Sequence, residues 1–153
     1  MVTIRPVEKS DHDEWLALFS GPSSYLEFYE SKLDKETIEF TFARFLDTEV
    51  PMWCVVAVDG DGRLVGFAHY LRHLDTWNMR DRIYLNDLFV KVDGRLKGIG
   101  RALIENVYAE AKAMGCFKVY WMTQFENHRA QLLYTRVGKK SGFLVYDNPN
   151  PEL

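Results

Sequence analysis

The sequence predicts an α+β fold in which a central mixed, twisted sheet is flanked by helices. Three observations carry this. Apolar runs of strand length recur at 52–58, 63–71 and 83–90, and the first two are joined by the turn Asp59-Gly60-Asp61-Gly62. Amphipathic stretches of helical period stand before these runs and after them. A glycine-bearing turn then links the last of the three to the strongest of those helices, which suits a crossover into a parallel pair.

In chain order, residues 2–6 alternate and predict a first strand. Ser10 and Asp11 can cap a helix from His12, with Trp15, Leu16, Leu18 and Phe19 on its apolar side. Gly21-Pro22-Ser23-Ser24 interrupts it. A second helix is expected over 25–31 and a third over 35–45, where Ile38, Phe42 and Phe45 share a face. The hairpin strands 52–58 and 63–71 follow, then a polar loop at 72–82 with Trp77 embedded, then a central strand at 83–90. In the helix over 101–114, Leu103, Ile104, Val107, Tyr108, Ala111 and Met114 form one stripe, and Gly115 is a suitable stop. A strand at 117–123, a helix at 127–136 and a last strand at 143–146 complete the series. The tail beyond Asn148 is Pro-rich and expected to be loose.

The chain's 153 residues fit one domain, read as 1–153, with a real core. Hydrophobic content of 47% and aromatic content of 14% exclude a disordered chain. No apolar run reaches the ~18 residues of a membrane span, and the N-terminus lacks the basic and apolar regions of a secretory signal. Cys54 and Cys116 make no disulfide framework, so a cytoplasmic location is expected. A net charge of −3 argues against general nucleic-acid binding. No pair of histidines has metal-ligand spacing and the cysteines stand far apart, so no metal is predicted.

The segment 95–103 holds the clearest chemistry. Glycines at 98 and 100 let a backbone approach a ligand closely, and a helix N-terminus adds unpaired N–H donors and partial positive charge. That combination suits a diphosphate. Arg95, Gly98 and Gly100 match the pattern Arg/Gln-x-x-Gly-x-Gly/Ala. Asn127, Ala130, Leu133 and Tyr134 match Asn-x-x-Ala-x-x-Leu-Tyr at the right distance downstream. On these residues the chain resembles the GNAT superfamily of N-acetyltransferases from about Ile4 to Tyr146. The segments 84–90 and 119–123 look like a narrower branch, which includes yeast acetyltransferases of histones, polyamines and D-amino acids and many bacterial relatives.

The resemblance implies the GNAT-type acyl-coenzyme A N-acyltransferase fold, acetyl-coenzyme A as cosubstrate, and direct transfer to a primary amine. It places the pyrophosphate on the N–H groups of Arg95, Leu96, Lys97, Gly98, Ile99, Gly100 and Arg101, with Lys97 and Arg101 adding charge. The pantetheine arm would pair along Leu88, Phe89 and Val90, where that strand leaves its neighbour at 119–123, and would pass over Ala130. Asn127 can bond an arm amide, cap the helix, or do both. An N–H at Leu88 or Phe89 would stabilise the oxyanion. Tyr134 is implied as the donor to the departing thiolate, a phenol of pKa about 10 facing a thiol near 8.5.

The acceptor must lose a proton, because an ammonium of pKa about 10.4 is only ~0.1% neutral at pH 7. Similar polyamine acetyltransferases carry Glu-Asp in the central strand, whereas this chain has Asn86-Asp87, and an amide cannot be the base. Asp87 remains, as base or amine orienter, or as a hydrogen-bonded strand carboxylate. In a regular strand it points away from Asn86, and a bulge would spoil that parity. Glu126 is a weaker candidate. His69, His73 and His128 read as structural, and Trp77 either walls the acceptor pocket or anchors its loop.

The acids between Tyr25 and Glu49 either suit a cationic acceptor or form a solvated helix face. A small amine, polyamine or amino acid is expected ahead of a protein lysine. A catalytically silent acetyl-coenzyme A-binding module is the rival reading. With a single strand after the last helix, a partner subunit is expected to complete the sheet edge in a homodimer.

Overall fold

A computed structural model describes residues 1–94, 97–150 and 152. Its sheet has five strands in the order β1 (Thr3–Pro6), β2 (Met52–Val58), β3 (Leu64–His73), β4 (Arg82–Val90) and β5 (Lys118–Tyr120). The first four pair antiparallel with their neighbours, and β5 joins β4 in parallel. The sheet is therefore mixed, as the alternation of hairpin and crossover predicts.

Three helices cover one face: α1 (His12–Ser20), α2 (Tyr25–Phe28) and α3 (Lys35–Leu46). Arg5 on β1 makes a two-pronged bond to Asp11 at 2.7 and 2.9 Å, and Asp11 also accepts from the Glu8 N–H, so the entry to α1 is tied to the sheet. Ser24 caps α2 by accepting from the Glu27 N–H, and Asp34 caps α3 by accepting from that of Thr37. Trp15, Phe19, Phe42, Phe45, Phe67 and Phe89 dominate the core beneath. The other face carries α4 (Ile99–Ala113) and α5 (His128–Val137). There the core is mainly aliphatic, with Ile83, Leu85, Leu103, Ile104 and Val107 buried. The Tyr108 hydroxyl donates to the Val137 carbonyl at 2.7 Å and pins α5 to α4.

Some expected elements change extent. The helix predicted over 25–31 closes after Phe28, where Glu30 takes a positive φ of 53°. The hairpin strands β3 and β4 reach further than expected, to His73 and from Arg82. The strand predicted over 117–123 holds only Lys118–Tyr120. The strand predicted over 143–146 does not form. Phe143, Leu144, Val145 and Tyr146 are 78%, 72%, 65% and 90% exposed and belong to no ladder. Their apolar composition satisfies strand propensity, but a strand also needs an edge to pair with, and β5 offers three residues.

Candidate active site

Strand β4 positions the site through an irregularity. His69 pairs with Asp87 and Tyr70 with Leu85, so Asn86 is an extra residue on β4. This bulge resets the alternation. Asp87 now falls on the face of α1–α3, and Asn86 projects into solvent. The β4–β5 ladder covers only Arg82–Tyr84, while β4 continues to Val90. Lys91 donates its N–H to Val65. By the alternation of an antiparallel ladder the Phe89 N–H turns toward β3 as well, and the Leu88 N–H turns toward the β5 side.

A small cleft opens where the two strands part. Tyr25, Tyr29, Leu85, Asn86, Leu88, Trp121, Met122 and Tyr134 line it. Tyr134 enters from α5 and meets Trp121 edge-on at 5.5 Å. Trp121 lies against Gly138, where an added Cβ would stand 2.8 Å from its ring. Burial pushes the Tyr134 phenol up to about 12, with Tyr29 adding to the shift. It therefore stays protonated, and a donor, across the physiological range.

Behind the cleft runs a chain of hydrogen bonds. The Tyr25 hydroxyl donates to Asp87 Oδ1 at 2.7 Å, and the Asn86 amide donates to the same oxygen at 3.0 Å. His69 Nδ1 meets Asp87 Oδ2 at 2.8 Å, and Trp15 Nε1 meets His69 Nε2 at 2.9 Å. An indole N–H can only donate, so His69 Nε2 accepts and Nδ1 carries the proton given to Asp87. Burial alone would push Asp87 up. His69, by its bond and its electrostatic attraction, and then the bonds from Tyr25 and Asn86 outweigh it and hold the carboxyl below its ordinary value. Such a carboxylate is a poor acceptor for an ammonium proton.

The N-terminus of α4 faces outward. Gly98 caps it with φ 74°, no side chain bonds its first N–H groups, and a Cβ at Gly98 would meet nothing within 4 Å. Among the described residues the Ile99, Gly100 and Arg101 N–H groups have no acceptor. Lys97 is exposed, and Arg101 bonds Glu105 at 2.7 Å. Gly100 has a packing reason as well, since a Cβ there would stand 3.2 Å from Leu133 Cδ2. Arg95 and Leu96, expected to hold phosphate, lie outside the described residues.

Asn127 caps α5, accepting from the Ala130 N–H at 3.2 Å. Glu126 and His128 are exposed beside it. His73 bonds the Tyr120 hydroxyl at 2.8 Å and the Leu74 carbonyl. Trp77 is 90% exposed and does not line the cleft. Among the described residues no three His, Cys, Asp or Glu side chains gather as a metal would require, and no helix is long and apolar enough to cross a membrane. The sequence alone does not single out Tyr25, Tyr29 or Trp121 for the site, nor Trp15 behind it. Nothing local marks them, because they meet across the fold.

The chain and its fold have known counterparts. The model of the acetyltransferase (GNAT) family matches residues 13–139. Over 146 residues the chain is 41% identical to the D-amino-acid N-acetyltransferase HPA3 of Saccharomyces cerevisiae, covering 95% of this chain and 89% of that one. It is 28% identical over 148 residues to YhfO, an uncharacterized N-acetyltransferase of Bacillus subtilis, with 95% of each chain covered. Among solved structures, a probable acetyltransferase superposes with a TM-score of 0.82 at 20% identity, covering 97% of both chains. The enzyme AAC(6')-Iy, in complex with a coenzyme A bisubstrate analog, superposes with a TM-score of 0.78 at 18% identity over 98% of both chains.

Proposed function

This chain belongs to the GNAT family of acetyltransferases and is an N-acetyltransferase acting on an amine, and we propose that it moves the acetyl group of acetyl-coenzyme A directly onto a small primary amine, amino acids included. One observation carries the reading. The open N-terminus of α4, the parting of β4 from β5, and the Tyr134 phenol all belong to one stretch of the molecule that a long thioester could follow.

The residues present fit that cosubstrate. The N–H groups of Ile99, Gly100 and Arg101, without an acceptor among the described residues, and the cations Lys97 and Arg101 suit a diphosphate, with Arg95 and Leu96 assigned by the motif. Residues 88–90 offer an extended backbone for the arm, and Leu88 presents an N–H on the β5 side for a developing oxyanion. The Asn127 oxygen is used by its cap, which leaves its amide N–H groups for the arm as it passes Ala130. Acetyl-coenzyme A supplies a thioester carbonyl open to attack by nitrogen. With a phenol near 12 and a thiol near 8.5, complete proton transfer from Tyr134 runs uphill. Tyr134 instead donates a hydrogen bond to the departing sulfur, and the net proton comes from the amine nitrogen, which turns acidic as it is acylated.

A thiol-release assay over D- and L-amino acids, polyamines and lysine peptides tests the whole reading. Turnover on small amines is expected, and turnover on peptides alone overturns it. Tyr134→Phe should lower kcat by about 10²-fold while the acetyl-coenzyme A KM holds, since removing one preorganised donor to a developing negative charge costs about that much. An unchanged kcat removes Tyr134 from the chemistry.

The same reading includes a homodimer and a cytoplasmic location. Exposed apolar residues 143–146 and the short edge strand β5 each need a partner, and a second copy supplies both. Light scattering should give twice the chain mass of 17.9 kDa, and a monomer at micromolar concentration discards the dimer. Cys54 and Cys116 are free thiols, which suits a reducing compartment.

A further inference from the structure

Asp87 is a largely buried carboxylate with no lysine or arginine among its bonded partners. Its side chain is 15% exposed, and the groups that bond it are the Tyr25 hydroxyl, the Asn86 amide and His69. The imidazole donates from Nδ1 while the buried Trp15 indole, which is fully enclosed, occupies Nε2. The arginines that form ion pairs among the described residues are engaged with Asp11, Glu14, Asp81, Asp75 and Glu105, and none with Asp87. Its bonds satisfy the carboxylate, but its negative charge meets no lysine or arginine among the described residues and remains to attract a cation.

Tyr25 joins that charge to the cleft. Its proton is committed to Asp87, so its oxygen can meet a ligand only as an acceptor. Its ring is fixed between Phe19, Phe67 and Tyr29, at 6.0, 6.0 and 4.9 Å. Hydrogen-bonding to a carboxylate makes a hydroxyl oxygen a stronger acceptor. Among the described residues neither lysine nor arginine lines the cleft, and Tyr29, Trp121 and Tyr134 bring to it aromatic faces that attract cations.

We propose that Tyr25, held by the chain Trp15–His69–Asp87, is the residue that receives the acceptor's nitrogen, and that the negative charge of Asp87 behind it makes the site select a cationic amine. The proposal rests on the acetyl-transfer reading for its biological meaning, but the binding it describes exists without turnover. Tyr25 touches the amine. Asp87, His69 and Trp15 position it and supply the field. An N–H directed at Tyr25 leaves the nitrogen lone pair, once the extra proton has gone to water, free to face the thioester.

The test uses n-butylammonium and its neutral counterpart 1-butanol as probes, titrated into the full chain with coenzyme A bound and followed by NMR. Tyr25→Phe keeps the ring packing and removes the oxygen. Asp87→Asn keeps the shape and removes the charge. Each should weaken butylammonium at least tenfold and leave butanol within twofold, with the thermal midpoint of Tyr25→Phe close to the parent's. In steady state Tyr25→Phe should raise the amine KM at least tenfold with the acetyl-coenzyme A KM unchanged, a split that mere loss of structure would not give. Equal loss of both probes, or loss of neither, overturns the proposal. Tyr25→Phe is conservative and decides the matter by itself if Asp87→Asn fails to fold. If the parent binds butylammonium through Tyr25 yet releases no thiol with any amine, the acetyl-transfer reading falls and this one stands.

Discussion

The two faces of the sheet are built from different materials. Under α1–α3 the core is rich in aromatic rings, six among its thirteen described buried apolar residues, and contains the buried polar residues Asp11, Ser24 and His69. Under α4 and α5 it is mostly aliphatic, and no residue in it is charged. An aromatic core can hold a polar chain because an indole or a phenol offers one hydrogen-bonding tip on a large apolar body. An aliphatic core has no such tips. The first face can therefore transmit a charge from Asp87 to the cleft, while the second holds α4 and α5 in place.

The largest effect that would break this comparison comes from matched truncations. Trp15→Ala and Leu103→Ala each empty a fully enclosed position, one per face. Each should cost about 3–5 kcal/mol, a large share of a typical domain's 5–15. Below the thermal transition their kinetics should differ. Leu103→Ala is expected to keep its amine KM, since Leu103 touches no part of the polar chain. Trp15→Ala is expected to raise it, since His69 Nε2 loses its donor and Asp87 its fixed partner. Chemical unfolding and steady-state assays at low temperature read both quantities. Matching kinetic changes in the two variants would mean that the faces do not differ in this way.

A smaller effect is carried by acid. The folded carboxyl of Asp87 lies below its unfolded value near 3.9, so between the two values the unfolded chain binds more protons. Its contribution is complete above about pH 4 and is lost as pH falls through the lower, folded value. Asp87→Asn lacks that term. At pH 6 the variant should be less stable by ~1–3 kcal/mol, the cost of weakening buried charge-assisted bonds, and the gap should narrow below pH 4. Asp11, lowered by Arg5, titrates in the same direction and remains in both proteins. Urea unfolding from pH 2.5 to 6 measures the gap, and a constant difference would place the Asp87 carboxyl at its ordinary value.

The two faces also differ in how much the sequence discloses. The aliphatic face was legible almost in full. Its helices announce themselves by period, and Asn127 and Gly115 mark ends because caps depend on a few adjacent residues, although α4 opens at Ile99 behind Gly98 rather than at the expected 101. The aromatic face gave up its helices but not its wiring. Tyr25 stands 62 positions from Asp87, and His69 stands 54 from Trp15. Their meeting depends on a bulge at Asn86, which no glycine or proline signals. The strand expected at 143–146 failed for a related reason, since composition records propensity while pairing is decided by what lies alongside.

The smallest effect concerns the N-terminal end of α4, the proposed seat of the diphosphate. Gly98 holds φ 74° with open space around it, so Gly98→Ala meets no neighbour and suffers only the left-handed backbone. That should cost about 1 kcal/mol or slightly more. Gly100→Ala is the reverse case. Its backbone is helical, its new Cβ would press the flexible tip of Leu133 at 3.2 Å, and the gain in helix propensity of ~1 kcal/mol offsets that contact. Stability should therefore fall at 98 and hardly move at 100. Coenzyme A affinity, measured by calorimetry, should fall several-fold at both: at 98 because the N–H groups that follow are turned, and at 100 because a methyl group intrudes where the backbone must come close. If affinity followed stability, falling at 98 and staying level at 100, the helix end would hold the fold together without gripping a diphosphate.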